Sequence, residues 1–335
     1  MQVSDFHLTY CTNIHPGESW EATFKNLKEY IPKIKRELSV EASFAIGLRL
    51  SDQASKELVK PDQLAAFKSW LNATNCYVFT FNGFPFGGFH RQVVKDEVHF
   101  PDWSTEERKA YTLRLFTILA ALMPADMDAG ISTSPLSYKY WHKSPEALDS
   151  LMEQSCAHIM EVVEFLYRLK LDQNVVLHLD IEPEPDGVIE DSNGLIHFYM
   201  DRLIPAGVPI LTEKFGLSAE AAEAVIKDHV RVCYDVCHFA VGYENHEKVL
   251  NSFEKEGIKI GKFQLSAALK ANIPKAIEKR KSVEKALLPF VESTYLHQVI
   301  GRMEDNTLHA YPDLPDALVD LATTNELEWR VQLHH

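Results

Sequence analysis

Short runs of β-branched and aromatic residues alternate along the chain with longer segments in which apolar residues recur every three to four positions. The short runs predict eight strands: FHLTYC, ASFAIGLRLS, CYVFTFN, AGISTS, NVVLHLDIE, VRVCYD, KIGKFQLS and EWRVQLHH. The longer segments predict helices, among them Trp20 to Leu38, Ser104 to Leu122 and Ser144 to Lys170. Eight strand–helix alternations favour a parallel (β/α)₈ TIM barrel, with a doubly wound open sheet as the alternative.

This pattern continues along the chain without an internal repeat, a low-complexity tract or a Pro/Gly/Ser-rich linker. The length of 335 residues is enough for one barrel. We therefore expect residues 1–335 to form a single domain, with a long excursion at about residues 270–325 between strands seven and eight.

The two faces of the fifth predicted strand differ in polarity. One face is apolar, as packing under helices requires, and carries Val175, Leu177, Leu179 and Ile181. The other is polar, would line the barrel interior, and carries His178, Asp180 and Glu182. In strand three the same alternation predicts an outer face formed by Tyr77, Phe79 and Phe81. We expect the deeper polar residues to pair with one another, for example Arg49 or Arg330 with Asp180.

Enzymes built on this barrel place their chemistry at the C-terminal mouth, where the last inward residue of each strand lies. The polar residues predicted at this mouth are Asn13, His15, Asn82, Glu182, Glu184, Asp235, His238, Gln264 and His334. Carboxylates, an imidazole and neutral oxygen donors suit a divalent ion such as Mn²⁺, Zn²⁺ or Mg²⁺. We expect Glu182 and Asp235 to bind the ion, with Gln264 and His334 as supplementary ligands. A purely structural hydrogen-bond network is the alternative.

Three loop motifs are weaker candidates for the site. In EPEPDG, prolines on both sides of Glu184 stiffen a loop that either holds the carboxylate in place or simply turns the chain. In NGFPFGGFH, Phe84 and Phe86 predict a lid over an apolar or aromatic ligand, although such rings also pack against their own loop. TYLHQVIGR predicts a β-ribbon in which His297 either faces the mouth or lies on a surface hairpin.

Charge and composition narrow the range of partners. Lys and Arg total 34 against 48 Asp and Glu, and the net charge of −14 disfavours nucleic acid as a partner. The sequence contains neither an apolar run of membrane-spanning length nor a secretion signal, so we expect a cytoplasmic protein without membrane insertion. Five cysteines without paired spacing predict reduced thiols and no structural zinc. A small-molecule metabolite is the expected partner.

The segment VCYDVCHFAVGYE resembles the Asp-x-x-His strand-six signature of the xylose isomerase-like superfamily, in particular its AP endonuclease family 2 (endonuclease IV) branch. The segments HLTYCTNIHPGESW, FNGFPFGGFH, LDIEPEPDG, FQLSAAL, TYLHQV and EWRV together resemble the EboE family, described as metabolite traffic proteins encoded in a small bacterial gene cluster. The resemblance implies a xylose isomerase-like TIM barrel and a role in handling or moving a secondary-metabolite precursor.

The resemblance also implies roles for individual residues. The superfamily's strand-five glutamate falls on Glu182, its strand-six aspartate on Asp235, and its accompanying histidine on His238. Sugar isomerases and epimerases of this superfamily need a second acid–base group, which here Glu184 or His238 would have to supply. We therefore expect Glu184 and His238 to act in proton transfer or substrate contact rather than as metal ligands.

Several positions depart from the superfamily pattern. Gln264 stands where a strand-seven histidine is usual, and Gln332 or His334 where a strand-eight glutamate is usual. Ser51 and Asn82 occupy the positions of metal-binding histidines in the endonuclease branch. A trinuclear zinc cluster is therefore not expected, and a DNA repair endonuclease becomes the least favoured function.

The resemblance further implies a helix that covers strand eight, which the sequence does not supply after His335. Either the chain is truncated there, or the outward residues Trp329, Val331 and Leu333 need another partner, and a homodimer contact is one way to provide it. Two functions remain open from the sequence. The first is a metabolite-handling protein of the EboE type, and the second is a divalent-metal-dependent sugar isomerase or epimerase.

Overall fold

The computed structural model describes residues 2–4, 6–38, 41–88, 94–125, 127–292 and 295–333. A parallel sheet forms its centre, with neighbouring strands in chain order: β1 Tyr10–Cys11, β2 Phe44–Arg49, β3 Cys76–Asn82, β4 Ala129–Thr133, β5 Leu177–Ile181, β6 Val230–Asp235 and β7 Ile260–Gln264. The sheet is strongly curled, as the contact of the Lys262 ammonium group on β7 with Asn82 on β3 and Ser132 on β4 shows. The predicted α/β barrel fold is confirmed, with seven parallel strands.

Helices surround this sheet and several begin at capping residues. Ser51, Thr105, Ser144 and Ser218 each accept a hydrogen bond from the backbone N–H three residues further on. The α-helices are α1 Trp20–Leu38, α2 Asp52–Leu58, α3 Pro61–Ala73, α4 Glu106–Leu122, α5 Pro145–Gln173, α6 Ser192–His197, α7 Ile204–Phe215, α8 Ala219–His229, α9 Val236–Val241, α10 His246–Lys255, α11 Ile277–Leu287 and α12 Leu314–Asp320. A short hairpin of Gln2–Val3 and Phe6–His7 precedes β1.

The two faces of β5 are arranged as its sequence pattern predicts. Leu177, Leu179 and Ile181 belong to the apolar core between the sheet and the helices. His178 and Asp180 point into the barrel, and glycines on β4 and β7 leave space for them. A Cβ atom on Gly130 would overlap the His178 ring, and one on Gly261 would overlap the Asp180 carboxylate. The polar interior is therefore built around β5.

The pairing expected inside the barrel is wrong. Asp180 contacts His178, with 2.6 Å between Oδ1 and Nδ1, and not an arginine. Arg49 instead donates to the carbonyl oxygen of Gly17 at 3.2 Å and forms an ion pair with Glu18. The alternation of residue types shows which face a side chain occupies, but not which neighbour it reaches. The short distance along β5 favours His178 as the partner.

Because β3 contains a β-bulge, the predicted outer position of Tyr77 is wrong. Ile46 of β2 pairs with Val78, but the next residue, Gly47, pairs with Thr80, so that Phe79 is the extra residue. Tyr77 is therefore on the inner face, where its hydroxyl lies 2.8 Å from Nδ1 of His7. Residues before the bulge therefore face the opposite side from the one that simple alternation predicts, whereas residues after it face the predicted side. Counting along the sequence cannot detect such an inserted residue.

The predicted eighth strand forms, but its predicted position in the barrel is wrong. Glu328–Val331 (β11) pairs antiparallel with Leu269–Asn272 (β8) and with Val299–Arg302 (β9), which in turn pairs with Leu308–Tyr311 (β10). This four-stranded sheet, together with α11 and α12, forms what we call the cap unit. An alternating pattern is common to parallel and antiparallel strands, so the sequence pattern alone does not distinguish them.

The cap unit has its own apolar core, which includes Trp329 and Val331. Both side chains are completely buried within the chain, so the argument for a homodimer contact through them no longer holds. A single domain over residues 1–335 stays a prediction. Among the described residues, no helix combines the length and the apolar character that crossing a membrane requires.

Candidate active site

Three side chains from adjacent strand ends converge at the mouth of the barrel. Glu182 directly follows β5, Asp235 is the last residue of β6, and His238 lies in the first turn of α9. One ligand atom from each lies within 4.8 Å of the others, and all three side chains are buried. The imidazole Nδ1 is 3.8 Å from Oε1 of Glu182, and Nε2 is 3.8 Å from Oδ2 of Asp235. We call these three residues the triad.

Asp235 is oriented by its role as the N-cap of α9. Its Oδ1 atom accepts hydrogen bonds from the backbone N–H groups of Cys237 at 2.8 Å and His238 at 3.2 Å. The hydroxyl of Ser266 donates to the same oxygen at 2.5 Å. With Oδ1 occupied in this way, Oδ2 is the oxygen that faces the His238 ring. The sequence signal for this arrangement is an acid placed between a strand and a helix.

The ring of His238 is oriented by the loop that follows Glu182. Its Nδ1 atom lies 2.9 Å from the carbonyl oxygen of Pro183, which can only accept a hydrogen bond. Nδ1 therefore carries the hydrogen, and the lone pair of the neutral ring is on Nε2, beside Asp235. Histidines that bind metals commonly donate their other ring N–H to a backbone carbonyl in this way.

Burial and mutual charge shift the protonation of these groups. Burial raises the pKa of Glu182 to about 7 and that of Glu184 to about 8. Burial alone would lower the pKa of His238, but the carboxylates of Asp235, Glu184 and Glu182 outweigh it and raise this pKa to about 9. The carboxylates are thus costly to ionise together, and a bound cation would relieve that cost by taking the place of protons.

Gln264 and His334 were expected to supplement the metal ligands. Gln264 pairs in register with Asp235, and its side-chain amide donates to Sγ of Cys233 at 3.2 Å. Cys233 is completely buried, and burial raises the pKa of its thiol well above the usual range, so it stays protonated. The role of Gln264 as a ligand stays a prediction. His334 lies outside the described residues.

A cavity of about 620 Å³ lies directly beside the triad. Its polar lining from the barrel includes Asn13, Asn82, Ser132, Glu184 and Gln264, in addition to the triad. Its apolar lining includes Phe84, Val98, Leu265, Leu269, Leu296 and Leu333. A cavity of this volume lies within the range of small-molecule sites, roughly 300–1,000 Å³. The structure therefore combines a cluster of possible ligands with space for a small molecule.

Behind the polar lining of the cavity is Lys262, which the sequence pattern did not single out. The amide oxygen of Asn82 accepts a hydrogen bond from Lys262, and its Nδ2 group donates to Oδ1 of Asn13 at 2.9 Å. Lys262 also lies 3.4 Å from the hydroxyl of Ser132. Its position two residues before Gln264 on the same strand face was the available signal, since both residues point inward. The lysine fixes which end of the Asn82 amide points toward Asn13.

Three predicted ligand contacts lie apart from the residues that line this cavity. The ring of His15 stacks on Tyr30 with 4.5 Å between ring centroids. Phe86 packs against Tyr111, with 5.0 Å between centroids. His297 is buried in the cap unit, not exposed on a surface hairpin, and its Nδ1 lies 3.1 Å from the carbonyl oxygen of Gln332.

In the part of the expected aromatic lid that the structure describes, the backbone is held by hydrogen bonds. The completely buried guanidinium of Arg108, on α4, donates to the carbonyl oxygens of Gly83 at 2.8 Å and Phe84 at 2.9 Å. Phe84 therefore contributes a fixed part of the cavity wall. The remainder of the expected lid, residues 89–93, lies outside the described residues.

The loop that carries Glu184 is held by the cap unit. The side-chain amide of Gln332 lies 3.3 Å from Oε1 of Glu184, and that of Gln298 lies 3.3 Å from the carbonyl oxygen of Pro185. Glu184 is itself buried and lines the cavity. The proline-rich loop therefore holds a carboxylate at the mouth, which was one of its two predicted roles.

Comparisons with known proteins give low similarities. Neither any protein-family model nor any curated protein matches the chain. Among solved structures, it is similar to 3-keto-D-glucoside 4-epimerase from E. coli at 15% identity, covering 86% of this chain and 89% of that one, with a TM-score of 0.44. It is also similar to a xylose isomerase domain protein from Alicyclobacillus acidocaldarius subsp. acidocaldarius, at 12% identity, 71% and 69% coverage, and a TM-score of 0.41. These similarities are too low to indicate a function, and membership of the EboE family stays a prediction.

Proposed function

We propose that this protein is a divalent-metal-dependent isomerase or epimerase that acts on a small hydroxylated carbonyl compound. The observation that carries the proposal is the convergence of Glu182, Asp235 and His238 within 4.8 Å beside a cavity of about 620 Å³. Two chain segments, the end of β5 and the junction of β6 with α9, contribute these side chains. The C-terminal mouth of a barrel is where such a fold places catalysis.

The triad fits a divalent cation. Two carboxylates compensate the charge of the ion, and a neutral imidazole nitrogen completes a donor set suited to Mn²⁺ or Zn²⁺, with Mg²⁺ as a more oxygen-selective alternative. The raised pKa of Glu182 reflects the cost of burying its charge, which a cation would offset. The hydrogen bond from His238 to Pro183 presents Nε2 as the ligand atom.

The bound ion would polarise the carbonyl oxygen of the substrate and so acidify the C–H bond next to that carbonyl. Glu184 is placed to exchange a proton with this carbon, because it is buried, lines the same cavity and is oriented by Gln332. The nearby cation would lower its raised pKa and so favour the carboxylate form that accepts the proton. Asn82 lines the same cavity with its Oδ1 engaged by Lys262 and its Nδ2 by Asn13, so it forms a fixed polar part of the lining.

A second candidate function is metabolite handling of the EboE type without a chemical step. The apolar part of the cavity lining, which includes Phe84, Leu296 and Leu333, favours this alternative. The two functions differ in whether a C–H bond is broken. Incubation of the Mn²⁺-loaded protein with pentoses and hexoses in D₂O, followed by NMR, would detect epimer formation or aldose–ketose conversion. Binding without conversion would favour metabolite handling.

Metal content tests the site itself. After loading with Mn²⁺ and gel filtration, wild-type protein is expected to retain one ion per chain, while Asp235→Asn and Glu182→Gln lose affinity by on the order of tenfold or more. Glu304→Gln, at a highly exposed acid of the cap unit, is the matched control and should retain the ion. Equal metal content in wild type and Asp235→Asn would contradict the proposal.

A further inference from the structure

Two parts of the cavity lining differ in polarity, and the segment between β3 and α4 supplies the rest. The barrel strands and the ends that follow them supply acids, amides and hydroxyls, including the triad, Asn82 and Ser132. The connector from β7 to β8 and the cap unit supply mainly apolar side chains: Leu265, Ala267, Leu269, Leu296 and Leu333. A ligand in this cavity would therefore meet a polar floor and a largely apolar wall.

Leu265 is the clearest sign that the apolar wall is available to a ligand. This side chain is 80% exposed although it lines the cavity. It directly follows Gln264, the last residue of β7, and so stands next to the polar floor. Each square ångström of apolar surface that a ligand removes from water contributes about 25 cal/mol, so this wall favours an apolar group over a hydroxylated one.

The volume of the cavity also favours a ligand that has both a polar and an apolar part. A cavity of about 620 Å³ is in the range that encloses a drug-sized ligand, and a free monosaccharide would contact the polar floor but leave much of the space unfilled. Phe84 adds an aromatic surface on the β3 side of the cavity, held in place through Arg108.

We infer that the cavity binds an amphiphilic small molecule, with a hydroxylated end at the triad and an apolar group against Leu265, Leu296 and Leu333. Only the placement of the hydroxylated end rests on the proposed function. The apolar subsite follows from the wall itself and does not require a metal.

Two xylosides that differ only in their aglycone test this inference on the Mn²⁺-loaded protein. Isothermal titration calorimetry would compare methyl β-D-xyloside with phenyl β-D-xyloside. Burial of the phenyl ring is expected to make the phenyl compound bind about tenfold more tightly. Leu265→Ser should remove most of this preference. Val319→Ser is the matched control, because Val319 is 81% exposed on α12 and apart from the cavity lining.

The same titrations on Glu182→Gln distinguish this inference from the proposed function. If the metal site is as proposed, this variant binds both xylosides more weakly but keeps the phenyl preference. A wild-type protein that shows the preference but holds no Mn²⁺ would overturn the proposed function and support the apolar subsite. Equal affinities for the two xylosides, no binding of the phenyl compound at millimolar concentration, or an unchanged preference in Leu265→Ser would overturn the inference.

Discussion

The imidazole of His238 donates its Nδ1 hydrogen to the carbonyl oxygen of Pro183, the residue that follows Glu182. The orientation of the ring at the end of β6 is therefore set by the backbone that leaves β5. This contact leaves Nε2 facing Asp235 and favours His238 as a metal ligand, whereas the sequence pattern had favoured a role in proton transfer.

The first prediction separates these two roles. His238→Ala is expected to lower Mn²⁺ affinity by about tenfold or more, as strongly as Asp235→Asn, because it removes a nitrogen ligand. Competitive titration followed by EPR of free Mn²⁺ measures both affinities. His197→Ala, at an exposed histidine on α6, should bind the ion as wild type does. Unchanged affinity in His238→Ala would return His238 to proton transfer.

The second prediction concerns Glu184. Glu184→Gln keeps the shape of the side chain and an oxygen for the Gln332 amide, but it removes the group that exchanges the proton. The rate of substrate conversion should therefore fall by a factor on the order of 10² to 10⁴. Its Mn²⁺ content should remain that of wild type. Glu190→Gln, which changes a more exposed acid in the same loop region, should retain conversion. Loss of the ion in Glu184→Gln would show that Glu184 is itself a ligand.

The third prediction tests the glycine beside the buried carboxylate of Asp180. Gly261→Ala places a methyl group where the Asp180 carboxylate lies and should lower the free energy of unfolding by about 1–3 kcal/mol. Gly87→Ala adds the same group in open space and serves as the control. Urea denaturation of both variants measures the difference. Similar stability in the two would mean that the barrel interior adjusts without cost.

The fourth prediction concerns acid stability. His229 is completely buried, its Nδ1 lies 2.7 Å from the carbonyl oxygen of Leu177, and burial lowers its pKa to about 4. The charged groups that influence this pKa are Lys170, Asp228 and Arg231. The two cations lower the pKa further, and the carboxylate of Asp228 raises it. Because the unfolded chain binds a proton near pH 6.5, the folded state is fully favoured above that pH.

Stability from His229 should therefore fall as the pH drops from 6.5 to about 4, by up to about 3 kcal/mol. His229→Gln keeps a donor for Leu177 but does not titrate, so its stability should depend less steeply on pH in this window. Urea denaturation at a series of pH values gives both curves. Parallel curves for wild type and variant would contradict the assignment.

The sequence pattern predicted which residues at the strand ends form the site, but it predicted their neighbours less well. Glu182 and Asp235 meet because the carboxyl ends of neighbouring parallel strands lie at the same edge of the sheet, which alternation and chain order suffice to indicate. The helix from Trp20 to Leu38 was predicted with its observed bounds, since its apolar positions recur at helical spacing.

Other features depend on contacts that no local pattern contains. The bulge at Phe79 changes the parity of β3 through its pairing with β2, a neighbour more than thirty positions earlier. β11 alternates as a barrel strand would, yet its antiparallel partners β8 and β9 place it in the cap unit. The contact between Lys262 and Asn82 joins strands that are distant in sequence, so residue types alone do not reveal it.

The amide contacts of Gln298 and Gln332 with the loop after Glu182 have a thermodynamic consequence. A cation at the triad, as proposed, would gain affinity from an ordered Pro183–Pro185 backbone. The end of that backbone contacts Gln298, next to β9 of the cap unit. By linkage, whatever free energy the folded cap unit adds to cation affinity, the cation returns to the folded cap unit. Cation binding and local unfolding of the cap unit would then be two readouts of a single coupling free energy.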